Sequence, residues 1–245
     1  MRNLLFTITY DGSAYHGWQI QENALTVQEV FQTALQKVTG LSEDLKACSR
    51  TDTGVHARAF CVSLKTESAV PPERMLAALN HWLPEDVAVK SCREVPEDFH
   101  ARYSCKGKEY CYEIWNHPVR EPFLRGRALH YWYPMDEGLL DLAARHYIGR
   151  HDFTSFCTLD RREQGDFTRT VTEAKVERRG DLVVFTVAAD GFLYNMVRIM
   201  AGTLLRVQQG RLTPEDIPQV IGARDRAAAG PTAPACGLYL NRVFY

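Results

Sequence analysis

The sequence predicts a mixed α/β (α+β) protein built from two consecutive split βαβ lobes. Over roughly the first ninety residues, strand-like alternation and helical spacing follow one another in the order β-α-β-β-α-β. A similar order with larger insertions occupies the rest of the chain. We therefore expect two ferredoxin-like (RRM-like) lobes, residues 1–97 and 98–245. We expect their mainly antiparallel sheets to merge into one wide sheet with helices on one face.

The first lobe opens with LLFTITY, which alternates like a half-buried strand. A helix follows, with Thr26 as its N-cap, Glu29 three residues later in a capping box, and Gly40 at its end. LKACS and RAFCVSL predict two strands. PPERMLAALNHWLP predicts a helix that stops at Pro84, and DVAVKSCREV predicts the fourth strand.

The second lobe shows the same types of pattern. KGKEYCYEIWN predicts a strand, EGLLDLAARHYI a helix that ends at Gly149, and TVTEAKVERRGDLVVFTVAA a hairpin that turns at Gly180. FLYNMVRIMAGTLLRV predicts a helix with one apolar face, and GLYLNRVFY a last strand. The segment GARDRAAAGPTAPACG is too rich in Ala, Gly and Pro to predict regular structure.

The composition excludes several classes of protein. No run of eighteen apolar residues predicts a membrane span, and the N-terminus lacks the pattern of a signal peptide. Seven irregularly spaced cysteines without a C-x-x-C motif indicate neither a disulfide framework nor a zinc site, and they favour a reducing cytoplasm. The net charge is only −1, but residues 101–130 carry six cations against three anions. This local charge permits a polyanionic partner.

The stretch SRTDTGVHA contains the strongest candidate for chemistry, Asp52. Asp and Gly also form turns, and a hairpin loop between two strands needs such residues. Arg50, His56 and Arg58 surround this carboxylate, however, and that concentration of donors exceeds what a turn requires. Reactive groups are often carried by loops on rigid sheets, so Asp52 is a candidate catalytic residue.

Three more side chains are candidates, each with a structural alternative. Arg198 lies at the border of a helix's apolar face, where it either extends to solvent or is partly buried and needs an anion; Asp52 is available for that role. Tyr110 lies on a strand, where aromatic residues usually pack in the core. Trp18 follows a glycine in a long loop, where it either stacks on a ligand or packs internally.

The other chemical motifs are weak or missing. His146, His151 and Cys157 are close in sequence, but their spacing matches no common metal site, so we expect no metal. The sequence has no Walker motif, no G-x-G-x-x-G and no G-x-S-x-G. Nucleotide-dependent and serine-hydrolase chemistry therefore lose their usual support.

Taken together, the motifs resemble the tRNA pseudouridine synthase A (TruA) family. They are YDGSAYHGWQIQ, RTDTGVHA, FHARYSCKGKEYCYEI, HDFTSF, DGFLYNMVRIMAGTLL and APACGLYLNRV, in family order over nearly the whole chain. Two departures are small: Thr53 stands where alanine is frequent, and Tyr103 where phenylalanine is usual. Neither change removes a functional group.

The resemblance implies isomerisation of uridine to pseudouridine at positions 38, 39 and 40 of the tRNA anticodon arm. It further implies a homodimer, and no metal or organic cofactor. It places the catalytic aspartate on Asp52, its arginine partner on Arg198, the base-stacking tyrosine on Tyr110, and an arginine that helps to expose the base on Arg50. We also expect His56, Arg58 and Trp18 to contact RNA.

Two other functions remain open at this point. One is an RNA-binding module of RRM-like architecture without activity, although the RRM signature sequence is missing. The other is a metal-dependent nucleotide enzyme that uses His146, His151 and Cys157.

Overall fold

The computed structural model describes residues 1–42, 44–158 and 165–245. Within these residues it contains five α-helices and ten β-strands, which confirms the expected mixed α/β class. The chain divides into two compact units, residues 1–106 with 239–245, and residues 107–238. The division thus comes after Lys106 and not at the expected join near Glu97, and the residues of the last strand from Tyr239 on group with the first unit.

Residues 98–106 group with the first unit because they are hydrogen-bonded to its strands. The side-chain amide of Asn3 donates to the carbonyl oxygen of Phe99 at 2.8 Å. The Ala101 N–H donates to Oγ of Ser63 at 2.9 Å. These bonds fix the segment along the first unit's sheet.

The first unit has the predicted β-α-β-β-α-β order. Its elements are β1 (Arg2–Tyr10), α1 (Val27–Thr39), β2 (Lys46–Ala47), β3 (His56–Thr66), α2 (Pro72–Trp82) and β4 (Val87–Val95), with β10 (Leu238–Phe244) from the end of the chain. Its strands lie in the order β4-β1-β3-β10, and β2 pairs with β3. The pairs β1–β3 and β1–β4 are antiparallel, whereas β10 runs parallel to β3.

The helices of the first unit lie on one face of its sheet. Helix α1 begins and ends as predicted, since the Thr26 side chain accepts the Glu29 N–H and Gly40 has φ of +73°. Phe31 of α1 packs edge-on against Phe6 of β1, with ring centroids 5.6 Å apart. Helix α2 packs on β4 and against α1, so both helices cover the same face.

Apart from the last strand, the second unit contains the strands and helices predicted for the second lobe, together with three elements that the sequence did not indicate. Its elements are β5 (Gly107–Trp115), β6 (Leu129–His130), α3 (Glu137–Arg145), β7 (Gly149–Asp152), β8 (Thr168–Arg179), β9 (Leu182–Ala189), α4 (Met196–Gln208) and α5 (Ile217–Ala223). The strands follow the antiparallel order β5-β9-β8-β7, and β6 pairs in parallel with the end of β5. The unexpected elements β6, β7 and α5 are short.

An aromatic cluster forms the core of the second unit. Tyr147 is fully buried, and its ring packs edge-on against Phe156 at 5.3 Å and near Phe185 at 6.2 Å. Burial raises the pKa of the Tyr147 hydroxyl. Helix α3 packs on β8 and against α4. No helix in the described ranges has the length and apolar character that crossing a membrane requires.

Candidate functional site

Asp52 lies in the loop between β2 and β3, where it is half-buried. Main-chain hydrogen bonds fasten this loop to the connection between β1 and α1. The Trp18 N–H donates to the Thr51 carbonyl oxygen at 3.1 Å, and the Gly54 N–H donates to the Tyr15 carbonyl oxygen at 3.2 Å. The backbone on both sides of Asp52 is therefore held by bonds that do not depend on its own side chain.

Two glycines allow the β1–α1 connection to approach the loop this closely. A β-carbon on Gly12 would lie well inside 3.0 Å of the Val55 carbonyl oxygen. One on Gly17, which has φ of +82°, would also lie well inside 3.0 Å of the Thr51 carbonyl oxygen. The two glycines of the YDGSAYHGW motif thus have a physical role, because any other residue at these positions would displace the Asp52 loop.

A buried side-chain contact supports the loop as well. The hydroxyl oxygens of Tyr10 and Thr51 lie 2.8 Å apart, and both residues are buried. Thr51 directly precedes Asp52 in the chain. A carboxylate on a loop with so many anchors loses little freedom when it meets a substrate, which is the condition for efficient positioning.

Two side chains expected to contact RNA lie instead inside the first unit. The Trp18 ring is 2% exposed and stacks on Phe60 with centroids 4.3 Å apart. The His56 ring is 1% exposed and stacks on Tyr239 at 4.6 Å, while its Nδ1 accepts the Gly12 N–H at 3.0 Å. Both rings have protein partners on their faces, so we assign Trp18 and His56 to packing beneath the loop and not to RNA contact.

The two arginines that flank the loop differ in exposure. Arg50 is exposed to solvent. Arg58 is half-buried, and its guanidinium lies over the Tyr239 ring, 4.3 Å from the centroid. This cation–π contact holds the Arg58 charge at the surface of the first unit. Both arginines remain candidates for contact with phosphate.

In the second unit, Arg198 is half-buried in the first turn of α4. Its Nε donates to the Ala233 carbonyl oxygen at 2.8 Å, and its Nη1 donates to Oδ1 of Asn195 at 2.9 Å. Asn195 has φ of +61°, a left-handed conformation that is uncommon outside glycine, and its amide donates to Oγ1 of Thr158 at 3.1 Å. Two hydrogen bonds thus fix the direction of the guanidinium.

The segment that carries Ala233 packs directly on α4. A β-carbon on Gly202 of α4 would collide with the Pro231 carbonyl, and one on Gly230 would collide with the Gly202 carbonyl. The Gly230 N–H donates to Oγ1 of Thr203 at 2.9 Å. The sequence predicted an irregular segment over residues 222–237. Residues 224–234 are irregular, whereas Gly222 and Ala223 belong to α5 and Ala235–Gly237 form a 3-10 turn. What the sequence did not reveal is that this segment holds Arg198, since only the paired glycines hint at the close packing.

Tyr110 lies on β5 and is 6% exposed. Its ring meets Phe192 edge-to-face, with centroids 5.0 Å apart and planes at 82°. Tyr112, two residues on, is fully buried and donates its hydroxyl to the Pro234 carbonyl oxygen at 2.7 Å, and burial raises its pKa. Phe192 precedes the helix of Arg198, and sequence reasoning did not associate it with Tyr110.

The cysteines and histidines give no support to a metal site. The described ranges contain no group of three or more His, Cys, Asp and Glu side chains with the arrangement of metal ligands. His151 instead packs on Phe153, and its Nε2 lies 3.1 Å from the Ile148 carbonyl oxygen. All seven cysteines are free thiols, and Cys157 is buried.

Comparison with known proteins assigns the chain to a family. A family model described as "tRNA pseudouridine synthase" matches residues 7–104 and 143–245, which include Asp52 and Arg198, whereas Tyr110 lies between the matched ranges. Proteins named tRNA pseudouridine synthase A are similar over their full length and that of this chain. The identities are 45% in Acetivibrio thermocellus, 44% in Caldicellulosiruptor saccharolyticus and 43% in Ruminiclostridium cellulolyticum. The family model and this full-length similarity show that the chain belongs to the family of tRNA pseudouridine synthases, which are isomerases.

Proposed function

We propose that this protein isomerises uridine to pseudouridine at positions 38, 39 and 40 of the tRNA anticodon stem-loop, with Asp52 as the catalytic residue. The observation that carries the proposal is the position of Asp52, half-buried on a main-chain-braced loop within the family-matched part of the chain. Family membership supplies the reaction class and the tRNA substrate. The positions and the residue roles are our inference.

The reaction needs no oxidant or reductant. The bond between C1′ and N1 breaks, the uracil turns over, and a bond forms between C1′ and C5. N1 gains a proton and C5 loses one, so atoms and electrons balance within a single nucleotide. We therefore propose a mechanism without a metal ion or an organic cofactor.

Breaking the C1′–N1 bond builds positive charge on the ribose and negative charge on the uracil. The Asp52 carboxylate is proposed to act on the ribose, where the positive charge develops. It either adds to C1′, as a carboxylate does in retaining glycoside hydrolysis, or takes a proton from C2′ to give a glycal. Both routes require an ionised and fixed carboxylate, which is the property that the braced loop favours.

Arg198 is proposed as the cationic partner of the catalytic carboxylate. Burial of a carboxyl group disfavours its ionised form, and a fixed guanidinium opposes that effect. The two hydrogen bonds to Ala233 and Asn195 support this role, because they orient the planar group before substrate arrives. A guanidinium that is already oriented stabilises an anion without further loss of side-chain entropy.

Tyr110 and Arg50 are proposed to act on the target base. A base stacked in the anticodon arm must be flipped out, at a cost of a few kcal/mol. Stacking of the uracil on an aromatic ring returns about 1–3 kcal/mol. The exposed guanidinium of Arg50 is proposed to help displace the base, and that of Arg58 to contact a phosphate.

We further propose that the enzyme works as a homodimer in the cytoplasm. Free thiols at all seven cysteines are consistent with a reducing compartment. The homodimer follows from the family resemblance, and sedimentation of the purified protein tests it.

The proposal is tested by incubating the protein with unmodified tRNA transcripts that carry uridine at positions 38, 39 or 40, followed by mapping of pseudouridine. Matched transcripts with cytidine at these positions are the control. We expect product only at the three positions, and equal rates with and without a chelator. Binding without any product would favour a non-catalytic RNA-binding module, and product elsewhere would refute the assigned positions.

A further inference from the structure

The second unit displays three large aromatic rings within residues 123–133. Phe123 is 85% exposed, Trp132 is 56% exposed and Tyr133 is 61% exposed. An aromatic side chain that stays in water gains little of the free energy that burial of its ring would provide. The rings of Trp132 and Tyr133 also lie side by side, with centroids 5.8 Å apart, and a contiguous exposed apolar patch often marks a surface that another molecule covers.

Hydrogen bonds hold the backbone that carries two of these rings, Trp132 and Tyr133. The Tyr131 N–H donates to the Trp115 carbonyl oxygen at 2.9 Å, next to the parallel pairing of β5 and β6. The side-chain amide of Asn116 donates to the carbonyl oxygens of Tyr131 and Tyr133 at 2.9 and 2.7 Å. Trp132 and Tyr133 are therefore presented from a fixed main chain, which lowers the entropy lost when a ligand covers them.

The loop between β5 and β6 carries the positive charge of this segment, and hydrogen bonds hold it in place. His130 places its Nε2 2.8 Å from the His117 carbonyl oxygen, and Arg127 donates to the Phe123 carbonyl oxygen at 3.5 Å. Arg120, Arg125 and Arg127 are all exposed.

The charge of this segment has one dominant sign. Residues 116–134 contain three arginines and a single acidic residue, Glu121. Oε1 of Glu121 accepts the Phe123 N–H at 3.1 Å, so its carboxylate is already engaged in the local turn. Exposed guanidinium groups among aromatic rings are complementary to the phosphates and unstacked bases of RNA.

We infer that this aromatic–arginine surface, formed by Arg120, Phe123, Arg125, Arg127, Trp132 and Tyr133, binds the tRNA substrate outside the reaction site. The inference rests on the proposed function for its substrate. The surface lies in residues 105–142, which the family model does not match. It therefore adds a contact to those that the matched motifs supply.

A second copy of the chain is the main rival occupant, and the charge argues against it. A two-fold interface brings the same patch of both subunits together. Each copy would bring three arginines and one carboxylate to such an interface, so both patches would carry net positive charge, and charges of the same sign oppose association. A polyanion meets no such penalty.

The test is the affinity for unmodified tRNA measured at several salt concentrations. Arg120→Gln with Arg125→Gln removes two cations, so the dissociation constant should rise, and the log–log salt slope should fall by about 1–2. Trp132→Ala with Tyr133→Ala should weaken binding about tenfold or more for one lost base stack and leave the slope unchanged. Arg145→Gln is the matched control, since Arg145 is an exposed arginine of the same unit that pairs with Asp141 at 2.7 Å.

Circular dichroism and melting curves establish that the variants are folded, and sedimentation velocity reports their assembly. Weaker tRNA binding with an unchanged sedimentation coefficient supports the surface. Unchanged affinity and slope, or a changed sedimentation coefficient, overturns it. Wild-type activity is measured separately: an inactive wild type whose variants still lose tRNA affinity refutes the proposed function alone, and an active wild type with unaffected variants refutes the surface alone.

Discussion

The Asp52 loop in the first unit and the start of α4 in the second are held in different ways. Around Asp52 the anchors are main-chain hydrogen bonds and close backbone contacts at two glycines. Around Arg198 the side-chain oxygen of Asn195 and the carbonyl oxygen of Ala233 accept hydrogen bonds from the guanidinium. The first arrangement survives changes to the reactive side chain, whereas the second depends on individual side chains.

This difference predicts which substitutions matter. Replacing Asp52 itself should leave its loop in place, since the bonds that hold it come from the backbone. Changes that alter the backbone conformation of the β1–α1 connection should disturb the loop. Near Arg198, a single side-chain substitution should be sufficient to misdirect the charge.

Apart from replacement of Asp52 itself, Arg198→Lys should have the largest effect. Lysine cannot reproduce the planar fork that reaches Ala233 and Asn195, so we expect kcat to fall about 10²-fold, or about 2.7 kcal/mol, with tRNA affinity nearly kept. Single-turnover rates at saturating tRNA measure the change, and a melting curve checks folding. Turnover near that of the wild type in a folded variant would contradict the role of Arg198.

Gly17→Ala should come next and act on the loop through the backbone. Alanine at φ of +82° is strained, and its β-carbon would push on the Thr51 carbonyl. We expect a loss of about 2–4 kcal/mol in the free energy of unfolding, together with lower kcat. Gly40→Ala is the control, because Gly40 has φ of +73° and nothing within 4 Å of the added carbon. Equal melting temperatures for the two variants would show that the close approach at Gly17 does not hold the loop.

Substitutions of Asn195 test whether this residue orients the Arg198 guanidinium or only packs against it. Asn195→Gly keeps the positive φ and removes the acceptor for Nη1, so kcat should fall about tenfold, as for loss of one hydrogen bond to a charged group. Asn195→Asp keeps an acceptor oxygen and should retain most of the turnover. The comparison is made at saturating tRNA. A glycine variant as active as the aspartate variant would mean that Asn195 does not orient the guanidinium.

Glu137→Gln should have the smallest effect, and it depends on pH. The hydrogen bond from Arg178 lowers the pKa of Glu137 below its ordinary value. A lowered pKa in the folded state means that the stabilisation is present above the ordinary glutamate value and is lost as the pH falls through the folded one. Because Arg178 also donates to Asn116 and Met135, Glu137→Gln should lower the free energy of unfolding by at most about 1 kcal/mol near neutral pH. Chemical unfolding at neutral and acidic pH measures it, and a difference between variant and wild type that grows in acid would refute this assignment.

Local signals predicted most of the fold. The caps at Thr26 and Gly40 define α1, and Gly180 marks the turn between β8 and β9. Helix α5 was missed because seven residues that include a proline and a glycine carry little periodic pattern. The very short β6 was missed because two residues cannot show alternation.

The candidate site was predictable only in its sequence-local parts. The RTD motif marks Asp52, but nothing in a single sequence distinguishes a ring that stacks on RNA from one that stacks on Phe60, as Trp18 does. The hydrogen bond from Arg198 to the Ala233 carbonyl oxygen joins two positions that are 35 residues apart, and Ala233 lies in an irregular segment. Contacts of this kind depend on tertiary packing, which local pattern does not encode.

The most direct test of the account is Asp52→Asn. Asparagine keeps the size of the side chain and the main-chain anchors of the loop, so tRNA affinity and the melting temperature should stay close to those of the wild type. Removal of the charge should lower the rate of pseudouridine formation at least about 10³-fold, as for other essential carboxylates. Mass spectrometry of the variant excludes deamidation back to aspartate. Pseudouridine formed at the wild-type rate by the intact variant would contradict the central claim that the Asp52 carboxylate performs the chemistry.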